Sequence, residues 1–209
     1  MPRGPVGGYL KRGGDIFISG MLLIALAPLM LMVAFAIYVT MGRPIFFSHE
    51  RVGFRGAPFR CHKFRTMVKD AKERLNHYLE DNPVALAEWK ATHKLRNDPR
   101  ITPFGQLLRK SSLDELPQLI NILRGEMTCV GPRPVTSMEL YQNYGTSARH
   151  YLRVRPGLTG LWQVSGRSNT SYRYRVALDR TYVTSWSVWL DVQILLKTGP
   201  AVFRLRDSA

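Results

Sequence analysis

Between Ile16 and Val39 the chain carries no charged side chain, and most positions are Leu, Ile, Met, Val, Ala or Phe. As a helix this run of 24 residues is long enough to cross a hydrocarbon core. A cleaved signal peptide does not fit. The stretch exceeds a typical apolar signal core, and Ala25-Leu26-Ala27 falls in mid-run before Pro28 rather than after it. Two membrane readings remain level on these residues alone: a straight span, and a re-entrant helix that enters and leaves on one face. Pro28 removes a backbone hydrogen bond at the centre of the run and favours a kink there, although proline is tolerated in spanning helices. Basic residues flank both ends, Lys11 and Arg12 before and Arg43, Arg51 and Arg55 after. If positive flanks prefer the cytoplasm, both ends want the same side.

The rest of the chain is strongly basic, with 30 Lys and Arg against 15 Asp and Glu, a formal charge of +15. That excess points to an anionic partner: nucleic acid, a membrane surface or phosphorylated substrates. Cys61 and Cys129 stand far apart, which fits neither a disulfide framework nor a zinc site. The five histidines have no metal-ligand spacing.

Residues 1–11 are rich in Pro and Gly and read as a loose tail, 12–41 as the membrane helix, and 42–209 as one compact domain. Within that domain Pro44 to Phe64 reads as strand and turn, 66–81 and 83–93 as helices, and Phe104–Lys110 and Glu115–Leu123 as short helices. Met127–Val130 reads as a strand, 136–150 as a helix, and 154–167 as loop and strand. A last helix starts near Tyr172, with breaks expected at Ser185 and at Gly199-Pro200. Mostly helices with few short strands make this an α+β chain and argue against a large parallel sheet. Trp186 and Trp189, beside Leu190, Ile194 and Leu195, suit either an interfacial helix or the core.

Three stretches can carry chemistry. In Ser111-Ser112-Leu113-Asp114-Glu115-Leu116-Pro117-Gln118, Ser112 and Glu115 match a capping box, whereas Pro117 favours Asp114 as the cap. Either way two carboxylates sit at a positive helix end, where a carboxylate ionises easily and suits a nucleophile or metal ligand. A plain helix start is the alternative. Gly131-Pro132-Arg133-Pro134 fixes one guanidinium between two prolines, which lowers the ordering cost of binding an anion; a rigid turn with a surface Arg is the alternative. Arg153 to Arg167 combines glycines with three arginines but is neither a Walker loop nor a dinucleotide fingerprint. A folded hairpin is the alternative there. Arg51 to Arg74, dense in Lys and Arg among Phe, suits anionic headgroups or a solvated face.

In series, Lys11-Arg12 with the Pro28-containing helix, Arg51-Val52-Gly53, Phe64-Arg65-Thr66-Met67, Leu113 to Gln118, Gly131 to Pro134 and Arg155-Pro156-Gly157-Leu158-Thr159-Gly160 resemble the bacterial sugar transferase family. The chain looks closest to that family's small monotopic phosphoglycosyl transferases of exopolysaccharide type, which load galactose or glucose phosphate. Trp162-Gln163-Val164, Gly166-Arg167 and Asp191 extend the match over nearly the whole chain. The resemblance implies a re-entrant helix broken at Pro28, where the family often has Ser-Pro and this chain has Ala27-Pro28. It implies a cytosolic catalytic domain with interfacial helices at the bacterial inner membrane. It implies transfer of a hexose-1-phosphate from a UDP-sugar to undecaprenyl phosphate with release of UMP. Asp114 is then the nucleophile and Glu115 the Mg²⁺ ligand. Arg109, Arg133 and Arg167 lie around the phosphates, and Lys63 and Arg65 serve the lipid phosphate. Pro132 and Pro134 stiffen the turn. No nucleic-acid partner is implied, and self-association as a homo-oligomer is left open. A non-catalytic basic membrane scaffold is the rival reading. Nothing in these motifs names the hexose.

Overall fold

The computed structural model describes residues 4–92, 95–166 and 171–203. Helices dominate the described residues, and four short strands form two separate two-stranded sheets. The first helix, α1, covers Gly8–Met41, 34 residues. At 1.5 Å per residue that is about 50 Å. Its helical residues run through Pro28 without interruption. The loose tail expected over 1–11 is shorter than that. Gly8 to Lys11 form the first turn of α1, and the Val6 N–H already bonds the Arg153 carbonyl at 3.1 Å.

The sequence could not show what α1 packs on. Lys11 pairs with Asp191 at 2.5 Å. The Arg12 guanidinium donates to the carbonyls of Ile122 and Leu123 at 2.6 and 2.8 Å. Asp15 is buried and accepts from the Thr128 hydroxyl and the Cys129 N–H. At the other end Val33 and Ile37 bury against Phe64 and Leu108. Both ends of α1 thus join the same domain, while Ile24, Leu31 and Phe35 on its other faces stay exposed.

Strands β1 (Phe46–Val52) and β2 (Pro58–Phe64) form an antiparallel hairpin in the register Phe47↔Lys63 and Arg51↔Phe59. Helices α2 (Ala71–Asp81) and α3 (Pro83–Thr92) follow, closing around their own small cluster of Leu75, Ala85 and Leu95. The helix expected from residue 66 starts later because Met67 bridges Ile101 and the Val68 N–H bonds Arg100, which holds that backbone extended. Next come α4 (Pro103–Lys110), capped by Thr102, and α5 (Gln118–Arg124). Strand β3 (Thr128–Val130) leads to α6 (Ser137–Tyr144), which carries a capping box from Thr136 and Glu139, and to α7 (Ala148–Tyr151). Gly145, at φ 46°, divides what the sequence read as one helix.

Strand β4 (Gly157–Thr159) pairs in parallel with β3, so the Arg153–Arg167 stretch is not a hairpin. Its next residues form a short helix, α8 (Leu161–Val164). Helix α9 (Tyr172–Thr184) ends at the expected Ser185, and α10 (Val188–Phe203) continues through Gly199-Pro200. Trp186, Leu190, Ile194 and Leu195 pack on the main core of Phe59, Leu119, Ile122, Met127, Val130 and Tyr182. Val188, Trp189, Val192 and Leu196 face outward. The tryptophan-bearing segment therefore has a core-packed face and an exposed apolar face on the same helix.

Candidate functional site

Ser112 takes φ 57°, a left-handed conformation uncommon for a residue with a Cβ. It turns the chain off the end of α4 into a single 3-10 turn, Leu113–Glu115, before α5 begins at Gln118. Neither cap expected from the sequence forms: Ser112 makes no side-chain cap, and the residue before α5 is Pro117. Asp114 and Glu115 instead project from this turn toward β2 and the Gly131–Pro134 loop.

Lys63 of β2 reaches both carboxylates, Glu115 Oε1 at 2.6 Å and Asp114 Oδ2 at 3.6 Å. Arg133 donates to the same Glu115 oxygen at 2.9 Å. Arg109 of α4 is held by the Thr66 hydroxyl at 2.9 Å and acts electrostatically on Asp114. Three cations thus face two carboxylates, leaving one positive charge in excess, which suits an anionic substrate.

The two carboxylates are unlike. Burial pushes the Asp114 carboxyl above the ordinary range; Lys63 opposes this and the adjacent Glu115 charge adds to it. The sequence expectation that Asp114 ionises easily is therefore corrected: no helix start stabilises it, and it is nearly enclosed, with 9% of its side chain exposed. Burial also disfavours the Glu115 charge, but Arg133 and Lys63 overcome it and hold that carboxyl far below its usual value. Burial lowers Arg109, opposed by Asp114.

Backbone packing places Arg133. The Gly131 N–H bonds the Thr159 carbonyl at 2.8 Å, and the Gly157 N–H bonds the Pro132 carbonyl at 2.7 Å. The two glycine-rich motifs are one interlocked unit, and the Pro132-Arg133-Pro134 turn emerges from it beside Glu115. The Arg155 Nε donates to the Gly125 carbonyl at 2.7 Å, just beyond the end of α5.

Of the residues singled out in the sequence, Asp114, Glu115, Lys63, Arg109 and Arg133 come together. Arg65 does not. It is buried, and its Nη2 donates to the carbonyls of Met41 and Gly42 at 2.6 and 2.7 Å, tying down the end of α1. Its side chain turns to those carbonyls, whereas that of Lys63 turns to Glu115. Arg167 lies outside the described residues. Two supporting residues went unread. Thr66 orients Arg109. Asn121, fully buried, joins α5 to β2 through the His62 N–H and the Arg60 carbonyl. A lone amide inside the apolar Leu119–Leu123 helix was the available signal for Asn121.

Among the described residues no group of three His, Cys, Asp or Glu gathers to hold a metal. A carboxylate is still the hard oxygen donor that Mg²⁺ takes together with substrate phosphates and water, so Glu115 suits that ion.

The family model for bacterial sugar transferases matches residues 6–205. An exopolysaccharide production protein ExoY of Sinorhizobium fredii is 51% identical over 98% of this chain and 90% of its own length. An undecaprenyl-phosphate galactose phosphotransferase of Salmonella typhimurium is 48% identical over 96% of this chain but 42% of its own length. A UDP-glucose:undecaprenyl-phosphate glucose-1-phosphate transferase of Caulobacter vibrioides is 41% identical over 92% of this chain and 69% of its own.

Proposed function

The chain belongs to the bacterial sugar transferase family, and from that footing we propose that it moves a hexose-1-phosphate from a UDP-sugar to undecaprenyl phosphate. The observation that carries the reading is the buried Asp114 beside a Glu115 tied down by Lys63 and Arg133. An Asp114 carboxylate oxygen attacks the sugar-bearing phosphorus, the bond to the bridging oxygen breaks, and UMP departs with that electron pair. An oxygen of the lipid phosphate then attacks the same phosphorus. The aspartyl bond breaks, Asp114 is regenerated as carboxylate, and the product is a lipid diphosphate sugar. Arg109, Arg133 and Lys63 bind and orient the phosphates. Mg²⁺, with Glu115 as its protein ligand, would neutralise charge on the diphosphate.

The same reading places α1 in the cytoplasmic leaflet of the inner membrane as a re-entrant helix bent at Pro28. It is supported by Lys11 and Arg12 at one end and Met41 and Gly42 at the other being held by a single domain. A helix crossing the bilayer would put those ends on opposite faces. The outward Val188, Trp189, Val192 and Leu196 of α10 would then lie at headgroup depth.

The activity test is UMP release by detergent-purified protein with a panel of UDP-sugars and undecaprenyl phosphate. UMP formation that stops on chelation with EDTA and returns with Mg²⁺ is expected. No UMP from any donor in folded protein would favour the scaffold reading, and EDTA-insensitive turnover would remove the metal. For topology, single cysteines at the exposed Tyr9 and Thr40 are expected to react with a membrane-impermeant thiol reagent only in inverted vesicles. Labelling of one site from each side would establish a span instead.

A further inference from the structure

The proposed reaction leaves open how a lipid whose tail stays in the bilayer delivers its phosphate to Asp114. The start of β1 offers a path. Cross-strand partners of an antiparallel pair share a face, so Phe47, opposite Lys63, lies on the face of the hairpin that carries the ammonium bound to Glu115. Phe46, opposite Phe64, lies on the other face and stacks on that ring at 5.3 Å, toward the core layer that Val33 and Ile37 of α1 also enter. Nothing in the fold requires either ring to be outside, yet Phe46 is 51% and Phe47 53% exposed. Phe64, on which Phe46 stacks, packs with Val33 and Ile37, and Phe35, Tyr38 and Val39 toward the end of α1 are exposed as well. The chain therefore sets Phe46 against the α1 cluster and, one residue on, Phe47 on the face that carries the cation beside the nucleophile.

We propose that Phe46 and Phe47 form the rail along which the isoprenoid tail of the acceptor leaves the site, with Phe47 against the units nearest the phosphate. This rests on the proposed transfer reaction. The link from Phe46 through Phe64 to α1 favours a lipid over the rival occupant of an exposed ring, a stacked uracil. A nucleobase would require no connection to the membrane surface, and a lipid tail does. Phe47 is a specificity residue for the acceptor and touches no reacting atom.

The test separates acceptor from donor. In Phe47→Ala the KM for undecaprenyl phosphate is expected to rise about tenfold while the KM for UDP-sugar moves less than about twofold. Phe47→Leu, which keeps apolar area without an aromatic face, is expected to restore most of the acceptor KM. A rise in donor KM that Leu does not rescue would assign the ring to the nucleobase and overturn the proposal, as would two unmoved KM values. A second measurement needs no turnover. A polyprenyl phosphate with a photoreactive group in its first isoprene units should crosslink to the β1 peptide of the wild-type protein. Crosslinking elsewhere would overturn the rail. Crosslinking to β1 in a protein that releases no UMP would instead overturn the proposed reaction and keep the lipid site.

Discussion

Asp114→Asn is expected to lower UMP formation by about a thousandfold or more while leaving the fold intact, because the amide matches the carboxylate in shape and removes its nucleophilic oxygen. The structure separates this residue from its neighbour. Glu115 is a strongly held anion whose Oε1 accepts from both Lys63 and Arg133, so attack from that oxygen would first have to break two charge-assisted bonds. Among the described residues Asp114 has the longer Lys63 contact at 3.6 Å, and burial raises its carboxyl. A poorly solvated carboxylate with few partners is the more reactive of the two, since attack does not first require breaking charge-assisted hydrogen bonds. Incubation with radiolabelled UDP-sugar and no lipid acceptor should leave label on the wild-type protein through denaturing electrophoresis and none on Asp114→Asn. Full transfer activity in the variant, or label retained by it, would remove Asp114 as the nucleophile.

The adjacent Asp-Glu pair, the Pro-Arg-Pro turn and the basic residue on β2 could all be named from the sequence, because each stands out against its local background. The division of labour between the carboxylates could not. It depends on which cations approach from β2 and from the turn beyond β3, and on burial that only the assembled fold creates. A helix-start argument predicted an easily ionised Asp114, and it failed because the left-handed Ser112 and the intervening 3-10 turn displace the pair from the start of α5. Arg65 failed differently. It is separated from Lys63 by one residue in sequence, and its backbone N–H still bonds the Ile45 carbonyl, so spacing along the strand gave no sign that the two side chains take different partners. The guanidinium then meets the exposed carbonyls that end α1. The apolar run declared a membrane helix by length alone, whereas its attachment at both ends rests on Lys11–Asp191, Arg12 with α5, and Arg65, pairings between residues too distant for any local pattern to reveal.

The glycines of Gly131-Pro132-Arg133-Pro134 and Arg155-Pro156-Gly157-Leu158-Thr159-Gly160 looked like flexible turn residues, and their packing gives a sharper expectation. A Cβ on Gly157 would overlap the Gly131 amide nitrogen and sit 2.6 Å from the Gly131 Cα, with backbone on both sides and no flexible side chain to move aside. Gly157→Ala should therefore force β3 and β4 apart, at a cost of ~3 kcal/mol, the upper end of ordinary overpacking. For a chain of this size that corresponds to a fall of roughly 6–12 °C in Tm. The same displacement pulls on the Gly157 N–H to Pro132 carbonyl bond and hence on Arg133, so activity should fall more steeply than the folded fraction at a temperature where the variant is still folded. Gly13 in α1 is the matched contrast, since a methyl group there would meet nothing within 4 Å beyond its chain neighbours, Arg12 and Gly14. Gly13→Ala should be neutral or stabilise by up to about 1 kcal/mol, as alanine does in an open helix position. Thermal unfolding in detergent, paired with UMP release per folded molecule, checks both. A Gly157→Ala protein with wild-type Tm and turnover would mean that the β3–β4 contact is looser than its hydrogen bonds imply, and that Arg133 is positioned by its flanking prolines alone.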